Sequence, residues 1–388
     1  MRAQPFRIDI PEQTLTDLHN RLARIRWARD YANDDWKYGA NGDYLNELLA
    51  YWHDGYDWRR HEAEMNTFDH FKVDIEGMPI HFIHERGKGP RPMPLILSHG
   101  WPWTFWDLRH VIRPLADPAS FGGDPADAFD VVVPSLPGFG FSTPLTTPGI
   151  NFTRTADLWV KLMRDALGYD RFSAQGGDWG AFVASQLGHK YAQHLHGIHL
   201  SLSIPLDFIT RQTTFAESDY ASDEKQHFAR NVEVVPTIVS HLTVQTHDPQ
   251  SLAYGMHDSP VALAAWIVER RRAWSDCGGD VERRFSKDDL LTTLMLYWVT
   301  ESFVSSVRYY AEARHHPWQP SHARTPVVEA PTGIAIFPKE LVIPPRRWAE
   351  QYYNLKRWQT MPAGGHFAHA EEPAALVQEL RQFFRPLR

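Results

Sequence analysis

One short run constrains the fold more than any other. Phe172-Ser173-Ala174-Gln175, of strand length, passes through Gly176-Gly177-Asp178-Trp179-Gly180 into a helical stretch from Ala181 to Tyr191. Gly176 and Gly180 flank a single reactive side chain, as in the strand-to-helix elbow G-x-S-x-G, whose strained turn needs small neighbours on both sides. Here Asp178 stands where that elbow carries serine. A carboxylate attacking an acyl carbon would make an anhydride, whereas attack on a saturated electrophilic carbon makes an ordinary ester. Alkyl transfer followed by ester hydrolysis is the reaction class that fits. The competing reading is that Asp178 caps the helix behind it, a common role for aspartate.

The surrounding pattern supports a parallel sheet. Met93 to Leu97 and Val131 to Val133 are apolar on both faces, as strands buried in such a sheet must be. Thr153 to Leu167 places Ala156, Trp159, Val160 and Met163 on one helical face before Gly168, and Ile198, Leu200 and Leu202 alternate as a further strand. The β-α-β-α-β order predicts an α/β fold with a mostly parallel sheet flanked by helices. From about Pro205 to Pro320 the alternation stops; the stretch reads as mostly helical, with Ala262 to Val268 and Leu290 to Tyr310 its clearest pieces, and is expected to be an inserted lid. Gly333 to Phe337 resumes the sheet, Leu355 to Thr360 is strand-like, and Glu372 to Phe384 closes the chain as a helix. Ahead of the core, Leu15, Leu18, Leu22 and Ile25, then Tyr44, Leu45, Leu48, Leu49 and Trp52, recur at helical spacing, and Phe71 to Phe82 alternates about Glu76-Gly77 as a hairpin. The expected division is a helical N-terminal region (1–68), the core in two parts (69–204 and 323–388), and the lid between them (205–322).

Composition narrows the partners. Forty Lys and Arg against 47 Asp and Glu give a net charge of −7, a mild acidity that argues against nucleic acid or an anionic membrane surface. The single cysteine, Cys277, leaves too few thiolates for a metal–sulfur site. There is no apolar h-region at the start and no apolar run of about 18 residues, so a cytoplasmic protein without membrane partners is expected, with the oligomeric state open and a homodimer among the options. Fifteen Trp, 14 Tyr and 21 Phe supply the apolar surfaces with polar handles that line small-molecule pockets.

An elbow nucleophile needs an acid and a histidine later in the chain. Gly364-Gly365-His366-Phe367 lies between the last strand and the last helix, and Phe337-Pro338-Lys339-Glu340 follows the strand beginning at Gly333, so the order is Asp178, Glu340, His366. Asp207, after the strand ending near Ser203, competes with Glu340 for the acid's place. Oxyanion donors are expected from the backbone of Trp179, directly after Asp178, and of Trp101 in Ser98-His99-Gly100-Trp101-Pro102; His99 is expected to fix that loop. Trp103, Phe105, Trp106, Trp298 and Phe367 are candidate walls of a substrate pocket. No H-E-x-x-H spacing accompanies them, His366 and His369 being three apart, so no metal site is expected.

Taken together, these runs, with Pro5-Phe6-Arg7-Ile8, Asp258-Ser259-Pro260 and Leu296-Tyr297-Trp298, resemble the epoxide hydrolases of the α/β-hydrolase superfamily, in the microsomal-type branch with the epoxide-hydrolase N-terminal region. The resemblance implies an α/β-hydrolase fold with an inserted helical lid and a helical N-terminal extension, no cofactor, and a small apolar epoxide and water as reactants. It also implies that Asp178 is the nucleophile, His366 the base that activates water and Glu340 its orienting acid. The family uses two lid tyrosines to polarise the epoxide oxygen. Tyr310 matches one; the place of the other, counted back from Asp258-Ser259-Pro260, holds His241, with Tyr254 nearby. With His241 as second donor, ring opening is expected to respond to pH near the reference histidine value of about 6.5. A haloalkane dehalogenase, using the same Asp, His and acid, and a non-catalytic binding module on the same frame are the rival readings.

Overall fold

The computed structural model describes residues 1–211 and 215–388. Among the described residues nine strands form one sheet: β1 (Gln4–Phe6), β2 (His70–Ile75), β3 (Met78–Glu85), β4 (Met93–Ser98), β5 (Phe129–Pro134), β6 (Phe172–Gly176), β7 (Leu195–Leu200), β8 (Val328–Ile336) and β9 (Tyr353–Thr360). Their spatial order is β1-β2-β3-β5-β4-β6-β7-β8-β9. The first three pair antiparallel and the rest run parallel. Leu95, Ile96, Leu97, Val131, Val132 and Val133 are fully buried, which explains why these strands read as unbroken apolar runs rather than alternating ones.

Helices α1 (Glu12–Leu22), α2 (Gly42–Asp54) and α3 (Trp58–Met65) precede the hairpin; α4 (Arg109–Ala116), α5 (Phe152–Val160) and α6 (Trp179–Lys190) connect the parallel strands. Between β7 and β8 lie α7 (Phe208–Arg211), α8 (Lys225–Ile238), α9 (Ser240–His247), α10 (Pro249–Asp258), α11 (Pro260–Trp274), α12 (Lys287–Val299) and α13 (Phe303–His315). The chain ends with α14 (Arg346–Tyr352), α15 (Ala368–Glu371) and α16 (Pro373–Phe384). This is the α/β-hydrolase fold, a largely parallel sheet with helices against it and a helical insertion before β8.

Three local expectations are corrected. The N-terminal region is not wholly helical, since β1 adds to the sheet edge by pairing with β2; a three-residue strand is too short to show a period. Leu290 to Tyr310 is two helices, not one: α12 and α13 meet at 82°, because Glu301 takes φ 54° and stops the helix between them. The helix expected over Thr153 to Leu167 runs as α5 and then widens into a π-helical turn at Lys161–Ala166. Among the described residues no single helix is long and apolar enough to cross a membrane.

The N-terminal region is tied to the insertion by hydrogen bonds. Tyr51 donates to Asp288 at 2.9 Å, the Tyr56 hydroxyl pairs with that of Thr292 at 2.9 Å, and Arg21 donates to the Asp258 carbonyl at 2.7 Å.

Candidate active site

Asp178 sits between β6 and α6 with φ 49° and ψ −128°, a strained conformation for a residue with a Cβ. The glycines around it are dictated by backbone contact. A Cβ on Gly176 would lie 2.2 Å from the Gly180 carbonyl, and one on Gly180 would lie 2.0 Å from the Ser98 carbonyl oxygen. The strand, the elbow and the loop after β4 therefore touch through main chain alone. Asp178 occupies the cap position of α6, yet its side chain accepts no capping hydrogen bond. Its Oδ1 instead accepts the backbone N–H of Trp101 at 2.7 Å, which removes the helix-cap reading.

His366 is fully buried and lies between two carboxylates. Its Nε2 is 3.3 Å from Asp178 Oδ2, and its Nδ1 donates to Glu340 Oε1 at 2.6 Å. Glu340 also accepts the backbone N–H of Leu341 at 2.6 Å. Glu340 is thus the acid that reaches the histidine; Asp207 pairs with Arg211 at 3.3 Å instead. Burial opposes a charged His366, but Glu340 and Asp178 outweigh it and push the imidazole up to about 10, so the resting ring is an imidazolium at neutral pH.

Tyr310, on α13, is buried with its hydroxyl unpartnered among the described residues. Its ring stands edge-on to Trp179, Trp101 and His241, with centroids 4.7, 6.0 and 5.7 Å away. Burial, and then the charge of Asp178, push the phenol well above its usual range, so it remains a proton donor at any physiological pH.

His241 does not have the properties expected of a second donor. Its ring lies parallel to that of Trp101 (centroids 5.6 Å apart, 9° between planes) and its Nδ1 is 3.0 Å from the Ile238 carbonyl. Only an N–H can bond a carbonyl, so Nδ1 carries the hydrogen. Burial, then the charge of Arg270, push the ring down to about 3. A neutral ring protonated at Nδ1 has a bare Nε2, which accepts and cannot donate. Burial thus places the ring's titration well below the expected 6.5, and Tyr254, at 71% exposure, is no substitute.

A cavity of about 680 Å³ opens above Asp178, with Trp179, His241 and Tyr310 in its walls and the apolar side chains of Phe182, Leu202 and Phe208 around them. Trp103, Trp106 and Phe367 are not among its walls. Trp103 packs edge-on against His366 with centroids 5.4 Å apart, Phe367 packs on Trp103 at 5.5 Å, and Trp106 packs against Phe68 at 5.9 Å. Trp103 and Phe367 thus pack about His366 rather than line the cavity. Phe105 and Trp298 are likewise outside the cavity wall. His99 holds its loop, Nδ1 donating to Gly100 and Nε2 accepting from Leu136.

Three supporting residues have no local signal in the sequence. Trp274, the last residue of α11, faces His366 edge-on at 5.3 Å and accepts its backbone N–H at 3.0 Å. Arg271, one turn earlier, is buried; it donates to Asp107 at 2.6 Å and to the Pro102 carbonyl at 2.9 Å. Glu371 accepts the backbone N–H groups of Gly365, Phe367 and Asp276 at 3.0, 2.9 and 2.7 Å, clamping the loop that carries His366. All three join segments far apart in the chain, which periodicity cannot register.

A family model described as "Epoxide hydrolase N terminus" matches residues 3–108, and one described as "alpha/beta hydrolase fold" matches residues 93–373. Epoxide hydrolase 1 of Oryctolagus cuniculus is 35% identical over 98% of this chain and 88% of its own length. The juvenile hormone epoxide hydrolase of Bombyx mori superimposes with TM-score 0.87 at 27% identity, covering 100% of this chain and 95% of that one. The Aspergillus niger epoxide hydrolase does so with TM-score 0.86 at 28% identity, covering 100% and 97%. With a full-length relative well above 30% identity and a fold model over most of its length, the chain belongs to the epoxide hydrolase family of the α/β-hydrolase fold.

Proposed function

We propose that the chain opens a small apolar epoxide to a vicinal diol in two half-reactions carried by Asp178. In the first, Asp178 Oδ2 attacks an epoxide carbon, the carbon–oxygen bond breaks, and the alkoxide takes the proton of Tyr310. The observation that carries this reading is the unpartnered Tyr310 hydroxyl in the cavity wall with Asp178: an alkoxide leaving group needs a proton and a halide does not.

Ester formation removes the negative charge beside His366 Nε2, so the ring loses part of what keeps it charged and releases its proton, which restores Tyr310. The neutral ring then takes a proton from water, whose oxygen attacks Cγ of Asp178. Oδ1, already bonded to the Trp101 N–H at 2.7 Å, becomes the oxyanion, with the Trp179 amide as the other proposed donor. On collapse the departing diol oxygen takes the proton of the newly added hydroxyl, leaving the carboxylate and the imidazolium as they began. Glu340 holds the ring in register throughout. The helices α7 to α13, which supply much of the cavity wall, act as a lid, and the net charge of −7 supports a setting without nucleic acid or anionic membrane partners.

A single turnover in ¹⁸O-water is the test. The first diol should carry no label and the protein should gain it at Asp178, because the new oxygen comes from the carboxylate; label in that first diol would mean direct attack by water. Parallel assays with styrene oxide and a bromoalkane should release diol and no bromide.

A further inference from the structure

Of the described residues lining the cavity, Asp178 and Arg314 alone carry a permanent charge. Arg314 is exposed, so it stands at the mouth. It lies four residues after Tyr310 on α13, which puts both side chains on one helical face about 6 Å apart along the axis. The carboxylate nearest along its helix is already engaged: Glu312 accepts the Gly149 N–H at 2.9 Å and sits 3.4 Å from His316 and 3.9 Å from Arg308. Among the described residues Arg314 has no ion pair. A place in the last turn of α13 favours a cation, but it does not account for that cation lining a cavity whose walls are mostly apolar, as at Phe182, Val239 and Leu242.

We propose that the cavity takes aliphatic epoxides bearing a carboxylate at the end remote from the oxirane, with that carboxylate docked on the Arg314 guanidinium while the oxirane lies between Asp178 and Tyr310. The inference rests on the epoxide-opening reading of Asp178 and Tyr310. The guanidinium fork suits a carboxylate in bidentate fashion, and the spacer must bridge one helical turn and an arginine side chain, which excludes a short epoxide from making both contacts.

The test compares an oxirane-terminated fatty acid with its methyl ester, in wild type and in R314Q and R314K. The acid should be favoured by about five-fold or more in kcat/KM, carried in KM. That ratio should fall to about one in R314Q and at high salt, and be partly kept in R314K. Calorimetry with unreactive dodecanoate and its methyl ester should show the same preference in binding. An ester used as well as the acid by wild type, or an acid-to-ester ratio unchanged in R314Q, overturns the proposal. Preferential binding of dodecanoate that depends on Arg314, without turnover of any epoxide, would uphold the carboxylate site and sink the catalytic reading; turnover without carboxylate preference would do the reverse.

Discussion

The backbone N–H of Trp101 donates to Oδ1 of Asp178 across 2.7 Å, joining residues 77 apart in the chain. That bond distinguishes the two oxygens of one carboxylate: Oδ1 is held by main chain, and Oδ2 faces His366 at 3.3 Å. In the proposed reaction, the oxygen that forms the ester and the oxygen that bears the later negative charge are thereby assigned before substrate arrives.

Asp178→Ala should abolish turnover, since among the described residues no other carboxylate lines the cavity. His366→Gln should still be alkylated and then stall. Mass spectrometry of the stalled protein after incubation with styrene oxide should place one adduct on Asp178, and an adduct elsewhere would refute the assignment.

The two half-reactions should respond differently to pH. His366 is pushed up to about 10 in the resting enzyme, so the imidazolium that alkylation consumes persists below that value, and alkylation should be flat from about pH 6 to 9. Once Asp178 is esterified its charge no longer supports the imidazolium; hydrolysis then needs the neutral ring and should slow as pH falls. Stopped-flow measurement of ester formation and decay should show alkyl-enzyme accumulating at the acid end. Decay that slows towards alkaline pH would contradict the assignment of His366 as base.

Tyr310→Phe should slow ester formation by about a hundred-fold or more, the usual worth of a positioned general acid. His241→Phe should leave the pH profile where it was, because the ring it replaces is neutral throughout. The ring's own NMR titration should show no inflection between pH 5 and 8; one near 6.5 would restore His241 as a second donor.

Arg271→Ala should cost about 3–5 kcal/mol of stability, because it leaves the buried Asp107 carboxylate without its partner. Burial pushes Asp107 up, but the Arg271 charge outweighs it and holds the group below its ordinary range. The linkage sign follows: the pair's contribution is complete above the ordinary carboxylate pKa of about 4 and is lost as pH falls through the depressed one. Denaturant melts of wild type and variant should therefore differ most near neutrality and converge in acid; a constant gap down to pH 2 would assign the loss to packing.

The sequence by itself determined what short-range sterics and chain order impose. The elbow needs glycines because main chain meets main chain at Gly176 and Gly180, and the central strands need apolar side chains on both faces because helices cover both, so each leaves a local imprint. The succession Asp178, Glu340, His366 follows from the direction in which parallel strands deliver their loops. Only the tertiary structure decided which of two carboxylates reaches the histidine, that burial and Arg270 disfavour a charged His241, and that Trp103, Trp106 and Phe367 pack outside the cavity while Phe182 and Arg314 line it. Those outcomes turn on contacts between residues tens to hundreds of positions apart and on the burial that sets each proton's free energy, neither of which a local pattern encodes.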